Sequence, residues 1–381
     1  MTSPIVAVVG GGQLARMMAP AATALGITLR VLVESPTASA ALAAHQTVVG
    51  LPGNADAIAA LLAEPRPAVV TWEHEHIPRD VFDACEAAGV PTRPGIGALV
   101  YAQDKIEMRT RMDTLGLPNP SWRIVTSVED VRHFLSSHDG VGVLKTARGG
   151  YDGKGVRVIS DAAQAAQWLD AAANGGPRVL IEEKVPFSRE LAIQVARRPA
   201  GEVVPWRLVE SLQVDGVCAV VTAPAPRASA LLEREAWTIA ATIAAKLDVV
   251  GVLAVELFQV GERLVVNELA MRPHNSGHWT IDGCVTSQFE QHLRAVLDLP
   301  LGATTALSPW TVMANVLGGE REQLESALAD VTDPDAKVHL YGKEVRPGRK
   351  VGHVTVMGAD LEDVQARAHA AAAIVRGGGA A

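Results

Sequence analysis

The sequence predicts a mixed architecture: a parallel α/β domain at the amino end, an α+β middle in which antiparallel strands carry a lid, and a small carboxy-terminal domain. Three observations predict it. Short apolar runs alternate with helical stretches up to about residue 100, the pattern of parallel βαβ units. Two strand-like runs then flank a basic, glycine-rich turn at residues 145–155. Two more, separated by a short turn, run into Glu256 and Glu268. The 381 residues exceed what one core usually serves. We therefore divide the chain at residues 1–104, 105–298 with a lid at about 118–186, and 299–381.

Residues 5–9 form a continuous apolar run that stops at Gly10, Gly11 and Gly12, and a helical pattern begins at Gln13. Residues 29–33 read as the second strand, residues 57–62 as a helix and residues 68–71 as a third strand. Gly10, Gly12 and Ala15 fit the dinucleotide fingerprint, and Glu34 stands 22 residues after Gly12, where an acidic ribose ligand would end the second strand. Three readings stay open here: a nicotinamide dinucleotide, the phosphate of another ligand at a helix amino end, and tight packing.

In the middle, residues 139–145 and 155–159 read as strands, 160–172 as a helix, 178–184 as a strand ending in Glu182 and Glu183, and 190–197 as an alternating return strand. The turn between the first two reads Lys145-Thr-Ala-Arg148-Gly-Gly-Tyr151-Asp152-Gly-Lys154-Gly155. Arg148 stands where a Walker loop needs its first glycine and Gly155 where it needs a hydroxyl, which excludes a P-loop. The glycines nevertheless let backbone N–H groups form an anion nest, and Lys145, Arg148 and Lys154 add positive charge. Lys145 ends an apolar strand and is costly there without an anionic partner, which favours nucleotide phosphates over a solvated hairpin. Glu182 and Glu183 could accept from an adenine amino group or ribose hydroxyls.

Residues 233–246 read as a helix; residues 249–255 then lead to Glu256, and residues 263–266 to Asn267 and Glu268. As a hairpin these strands bring two carboxylates together in apolar surroundings, which suits magnesium with phosphates better than separate salt bridges. The following Arg272-Pro273-His274-Asn275-Ser276-Gly277-His278 reads as a polar loop fit for hydrogen bonding to a substrate, its proline and glycine disfavouring a helical zinc site. The last domain holds residues 311–317, a strand at 338–341, a basic cluster of Lys343, Arg346, Arg349 and Lys350, the stretch 352–357, and an alanine-rich surface helix at 366–375 ending at Gly377.

Composition bounds the setting. Hydrophobic residues make up 48% and charged residues 20%, a globular balance, and the net charge of −8 argues against broad nucleic-acid binding while permitting local basic pockets. Cys85, Cys218 and Cys284 form no paired motif and read as buried thiols. No leader pattern and no apolar stretch of about 18 residues is seen, so a cytoplasmic setting without membrane contact is expected.

In this order, the motifs resemble the ATP-grasp carbon–nitrogen ligases, and within them the N5-carboxyaminoimidazole ribonucleotide synthase family, over nearly the whole chain. The resemblance rests on Gly10 to Leu14, Thr71-Trp-Glu-His-Glu75, the Lys145–Gly155 turn, Glu182-Glu-Lys-Val185, the run from Asn267 through His274-Asn-Ser-Gly-His278 to Thr280, and Gly348-Arg-Lys-Val-Gly-His353. It implies an ATP-grasp fold with a central lid. Lys105 and Lys145 would contact ATP phosphates, Gly150, Tyr151, Asp152, Gly153, Lys154, Gly155 and Val156 would close over them, and Glu182, Glu183, Lys184, Val185, Glu190 and Gln213 would hold the nucleoside. Asn267 and Glu268 would flank the phosphates, with Glu256 and Glu268 ligating magnesium. Gly12, Gln13 and Leu14 would take the phosphate of aminoimidazole ribonucleotide rather than NAD, with Glu73 near its ribose or base. Tyr151, Asp152, Lys154, Arg272, His274 and Asn275 would line the shared reaction site, and Lys343, Arg349 and Lys350 would complete it. The implied chemistry is phosphorylation of bicarbonate by ATP and capture of its carbon by the exocyclic amine, with no biotin, in a homodimer whose product passes to a separate mutase. Two departures stand out: Gln213 replaces a histidine common among relatives, and Ala270 follows Glu268 where other ATP-grasp enzymes often place asparagine. A formate-using ligase and a nucleotide sensor without turnover are the rival readings, the first disfavoured by the His274–His278 segment and the second by the paired carboxylates.

Overall fold

The computed structural model describes residues 3–150, 155–214, 216–319 and 321–377. Among these residues the strands form three sheets. The first holds β1 (Ile5–Val9), β2 (Thr28–Val33), β3 (Gln46–Val49) and β4 (Val69–Trp72), all parallel in the order β3-β2-β1-β4. α1 (Gln13–Ala24) covers one face, and α2 (Ala55–Leu61) and α3 (Arg79–Ala87) the other. Val6 and Val8 pack with Leu14 and Met18, while Ala7 and Val9 pack with Ile58 and Phe82. Helices on both faces are why β1 is apolar at every position rather than at alternate ones. β3 lies at the sheet edge, is largely exposed, and carries no apolar run to announce it.

α4 (Ile96–Gln103) and α5 (Lys105–Thr114) lead into the second sheet. There β5 (Trp122–Val125), β6 (Gly142–Thr146), β7 (Val156–Ile159) and β8 (Val179–Glu183) are antiparallel in the order β5-β8-β6-β7. α6 (Val128–Ser136) and α7 (Ala166–Ala173) close one face over Leu144 and Ile181. Because side chains alternate along a strand, Lys145 and Glu182 share the opposite face, diagonal to one another across β6 and β8.

The third sheet runs β14-β13-β9-β11-β12-β15-β17-β16, with β10 beside β9. Its strands are β9 (Arg189–Arg197), β10 (Val203–Pro205), β11 (Val209–Val214), β12 (Val217–Ala223), β13 (Gly251–Val260), β14 (Arg263–Ala270), β15 (Trp310–Leu317), β16 (Lys337–Leu340) and β17 (Lys350–Gly358). The helices α8 (Ala230–Lys246), α9 (Thr280–Gly283), α10 (Gln288–Val296) and α11 (Leu361–Arg376) complete the fold. β9 does not belong to the lid: it lies between β13 and β11 with six consecutive buried residues. The carboxy-terminal strands continue this same sheet, since β15 pairs with β12. The alanine-rich α11 is more than a surface helix; it buries Val364, Ala368, Ala371 and Val375 against Val312, Val354 and Val356.

One side chain ties the lid sheet to the large sheet. Arg109 of α5 is fully buried, and its guanidinium donates to both Glu182 carboxylate oxygens on β8 (2.8 and 3.1 Å), to the Val266 and Asn267 carbonyls on β14 (2.7 and 2.8 Å), and to Asn119 Oδ1 (2.9 Å). All five N–H donors are engaged. Removing one member of such a buried cluster leaves an uncompensated charge and typically costs about 3–5 kcal/mol. Arg109→Leu should lower the unfolding free energy in urea by that amount; a loss below about 1 kcal/mol would contradict the assignment.

Candidate functional site

The site is a cleft between the lid sheet and the β13–β14 edge of the large sheet. Glu256 and Glu268 are direct register partners across β13 and β14, so both carboxylates leave the same face. Lys105, capped into the first turn of α5 by Asp104, extends its Nζ to Glu268 Oε1 at 2.7 Å. One turn later on the same helix face, Arg109 fixes Glu182, whose Oε2 takes Lys145 Nζ at 2.7 Å. Two cations and two opposed carboxylates are thus brought together by α5, β6, β8, β13 and β14.

The electrostatics follow from burial and pairing. Burial pushes the Glu182 carboxyl up, but Arg109 and Lys145 outweigh it and hold it at about 2. Burial lowers Lys145 below the usual lysine range, with Glu182 opposing. For Glu256 the balance goes the other way: burial, then Glu268 and Glu190, push it up to about 8 against the pull of Lys350 and Arg272. Its imidazole neighbour His274, 3.5 Å away, is kept neutral by burial and by Arg272 and Lys350. Glu268 is also raised by burial but brought below its ordinary value by Lys105. Among the described residues no three His, Cys, Asp or Glu side chains converge as a complete metal cage. Two facing carboxylates, one of them under-compensated, fit an oxygen-loving divalent ion that takes its remaining ligands from phosphate and water.

The neck of the basic turn is closed. Thr146 N–H donates to Gly155 O (3.0 Å), Lys105 N–H to Ala147 O (2.9 Å), and Arg148 Nε to Asp104 Oδ2 (2.9 Å). Gly150 and Gly155 therefore lie side by side at this neck, with Val156 paired to Lys145, while Tyr151, Asp152, Gly153 and Lys154 lie outside the described residues.

The other wall comes from the amino-terminal domain. Glu73, at the end of β4, accepts from Gly12 N–H and from Leu14 N–H (3.0 Å) at the start of α1. A Cβ on Gly12 would collide with that carboxylate. The side chain expected near the substrate's ribose or base thus fills the glycine turn read as a phosphate site. Burial raises its pKa, with the two backbone N–H groups and Lys343 opposing. Gln13 Oε1 accepts from Lys343 Nζ, which brings the carboxy-terminal basic segment to α1. Arg349 donates to Glu344 O in that segment, and Lys350 begins β17. Arg272 is paired with Glu75 at 3.0 Å, and His274 Nδ1 lies 2.9 Å from Ser276 Oγ, so the loop after β14 meets the segment after β4. Asn275 starts the short 3-10 turn that follows.

The reading of Glu182 and Glu183 as acceptors for adenine or ribose meets a different arrangement. Glu182 is engaged by Arg109 and Lys145, and Glu183 accepts from Ser121 N–H at 3.0 Å. Lys184 is exposed, Val185 buried and Glu190 half-buried. Gln213 donates to Ser211 Oγ on its own strand at 3.0 Å. Sequence reading missed Arg109 and Asp104 and gave Glu75 no role beyond its motif; each is an ordinary charged residue in or beside a helix or in a loop, and only the tertiary partner marks it.

Comparison with known proteins agrees with this geometry. Residues 4–103 match the ribonucleotide synthetase preATP-grasp domain, 110–289 the ATP-grasp domain, and 311–367 the phosphoribosylaminoimidazole carboxylase C-terminal domain. N5-carboxyaminoimidazole ribonucleotide synthase of Mycobacterium bovis is 47% identical over 378 residues, spanning 97% of this chain and 87% of its own. The chain belongs to this synthase family. Among solved structures, the synthetase of Thermus thermophilus superposes with a TM-score of 0.86 at 38% identity, covering 97% of this chain and 98% of that one. The synthase of Aspergillus clavatus, in complex with ADP and 5-aminoimidazole ribonucleotide, does so at 0.87 and 29%, covering 98% and 99%. The amino-terminal glycine turn therefore belongs to a preATP-grasp domain, and the dinucleotide alternative gives way.

The depressed pKa of Glu182 sets an acid limit. A carboxyl held at about 2, against roughly 4.3 when unfolded, contributes on the order of 3 kcal/mol that is present above the unfolded value and lost as pH falls through the folded one. The stability difference between the parent and Glu182→Gln should be constant from pH 7 to about 5 and shrink below about 4. A difference that grows on acidification would contradict the pairing.

Proposed function

We propose that this chain is an ATP-dependent carbon–nitrogen ligase that carboxylates the exocyclic amine of 5-aminoimidazole ribonucleotide with bicarbonate, yielding N5-carboxyaminoimidazole ribonucleotide, ADP and phosphate in purine biosynthesis. The observation that carries the reading is the meeting in one cleft of the opposed Glu256 and Glu268 with two lysines on separate elements, Lys105 and Lys145. A redox enzyme has no need of that set, whereas crowded phosphate oxygens do.

Lys105 and Lys145 bind the ATP phosphates, with Gly150, Gly155, Val156 and the turn residues Tyr151, Asp152, Gly153 and Lys154 over them. Lys184, Val185 and Glu190 line adenine and ribose, with Glu183 and Gln213 at the margin. Glu182 acts through Lys145. Glu256 and Glu268, beside Asn267, hold magnesium, which when bound neutralises phosphate charge. A bicarbonate oxygen attacks the γ-phosphorus and ADP departs, giving carboxyphosphate. The lysine ammonium groups, fixed before the reaction, stabilise charge on the transferring oxygens. Cleavage of carboxyphosphate yields carbon dioxide and phosphate, and the amine nitrogen attacks the carbon and then loses a proton. Arg272, His274 and Asn275 line this reacting centre, while Gln13, Lys343, Arg349 and Lys350 surround the ribonucleotide phosphate and Glu73 stiffens the Gly12–Leu14 turn beneath it. Closure of the turn keeps water from the intermediate. No biotin is used. The expected assembly is a cytoplasmic homodimer passing its product to a separate mutase; no described helix is long and apolar enough to cross a membrane.

Phosphate release measured with ATP, magnesium, bicarbonate and aminoimidazole ribonucleotide, each omitted in turn, tests the reading. Full turnover without bicarbonate would sink the first step. Lys145→Ala should lose at least about 100-fold in kcat with the fold retained, as expected for removal of an electrostatic stabiliser; near-normal activity would reject its phosphate role.

A further inference from the structure

Gln288, at the start of α10, uses its side-chain amide on the backbone of a residue from the reacting centre. Its Oε1 accepts from His274 N–H at 2.8 Å and its Nε2 donates to His274 O at 2.9 Å. A backbone N–H and a backbone C=O on the same residue read the amide in only one orientation, so its flip is settled by chemistry. The second hydrogen of Nε2 goes to His278 Nδ1 at 2.9 Å, and the second lone pair of Oε1 takes Gln194 Nε2 at 3.0 Å. The amide's bonding capacity is complete, with two bonds donated and two accepted. Gln288 is itself anchored: its N–H donates to Thr280 Oγ1 at 2.9 Å, and that hydroxyl donates to Gly277 O at 2.6 Å. Gln288, His278, Ser276 and Thr280 are all buried. Gly277 makes the approach feasible, since a Cβ there would overlap the amides of Gln194 and Gln288.

We infer that Gln288 is a positioning residue for the carboxylation step: an amide clamp that fixes both the backbone of His274 and the tautomer of His278, and so sets the His274–Asn275 edge against the second substrate. The inference rests on the proposed function above. His278, accepting at Nδ1, carries its proton on Nε2, and burial holds it neutral with a pKa of about 3. The clamp touches neither nucleotide lysine and reaches Glu256 only through the His274 imidazole 3.5 Å away, so the larger part of its loss falls on the ribonucleotide half of the reaction. A misplacement of about 1 Å at a reacting centre costs up to about 100-fold in rate.

The test compares Gln288→Met, which keeps volume and removes the clamp, with Gln291→Met, which removes another buried amide of α10, one bonded to Gly302, without touching the clamp or His274. Gln288→Met should lower kcat by about 10- to 100-fold and raise KM for the ribonucleotide, leaving KM for ATP within about twofold. Gln291→Met should keep kcat within a few-fold of the parent at a similar loss of melting temperature. Gly277→Ala, which presses on the clamp while leaving Gln288 in place, should reproduce the Gln288→Met pattern and serves if that variant does not fold. Unchanged kcat in a folded Gln288→Met or Gly277→Ala, equal kcat losses in Gln288→Met and Gln291→Met, or a rise in ATP KM matching the kcat loss would each overturn the inference. An inactive parent would refute the proposed function instead.

Discussion

The cleft depends on one buried carboxylate shared by two cations. Glu182 receives Arg109 from α5 and Lys145 from β6, and Arg109 continues to two carbonyls of β14. Buried charge is costly, and that cost enforces the arrangement: each member is tolerated only while the others are in place. Through this chain of contacts the lid sheet is locked at its root to the strand that carries Glu268. Such a fixed floor holds the lysines and carboxylates of the proposed reaction in register before any substrate arrives.

The same principle recurs on the opposite wall. Glu73 satisfies the first N–H groups of α1, and Gln288 satisfies both backbone groups of His274. Arg109 and Gln288 have every polar hydrogen engaged, so neither can rotate without leaving a buried group unpaired. Saturated side chains of this kind hold the reacting groups on rigid elements rather than on loose loop backbone. His274 is a loop residue, yet it is as firmly held as a strand position.

Apolar runs and turn signals made most strands legible in the sequence, and the opposed Glu256 and Glu268 could be foreseen because both end apolar stretches on either side of a short turn. The rule that a lysine ending a buried strand needs an anion was sound, but its first answer is internal: Lys145 is paired with Glu182. That pairing alone would not imply phosphate; the second lysine and the under-compensated Glu256 do. Arg109 was hidden because it stands among Lys105, Glu107, Arg111 and Asp113 on α5, and nothing local announces that one arginine turns inward. The continuation of the large sheet through β15 and β17, the exposed edge strand β3, and the capture of the glycine turn by Glu73 are decided by long-range pairing, which spacing does not encode.

The most direct test asks whether Glu182 works through Lys145. A double-mutant cycle in kcat with Glu182→Gln and Lys145→Met measures their coupling without assuming the worth of either. Lys145→Met should cost at least about 100-fold in the parent background and less than about threefold once Glu182 is already replaced, because the lysine has lost the partner that aims it. Losses that multiply independently would show that the two residues act separately and would contradict the account.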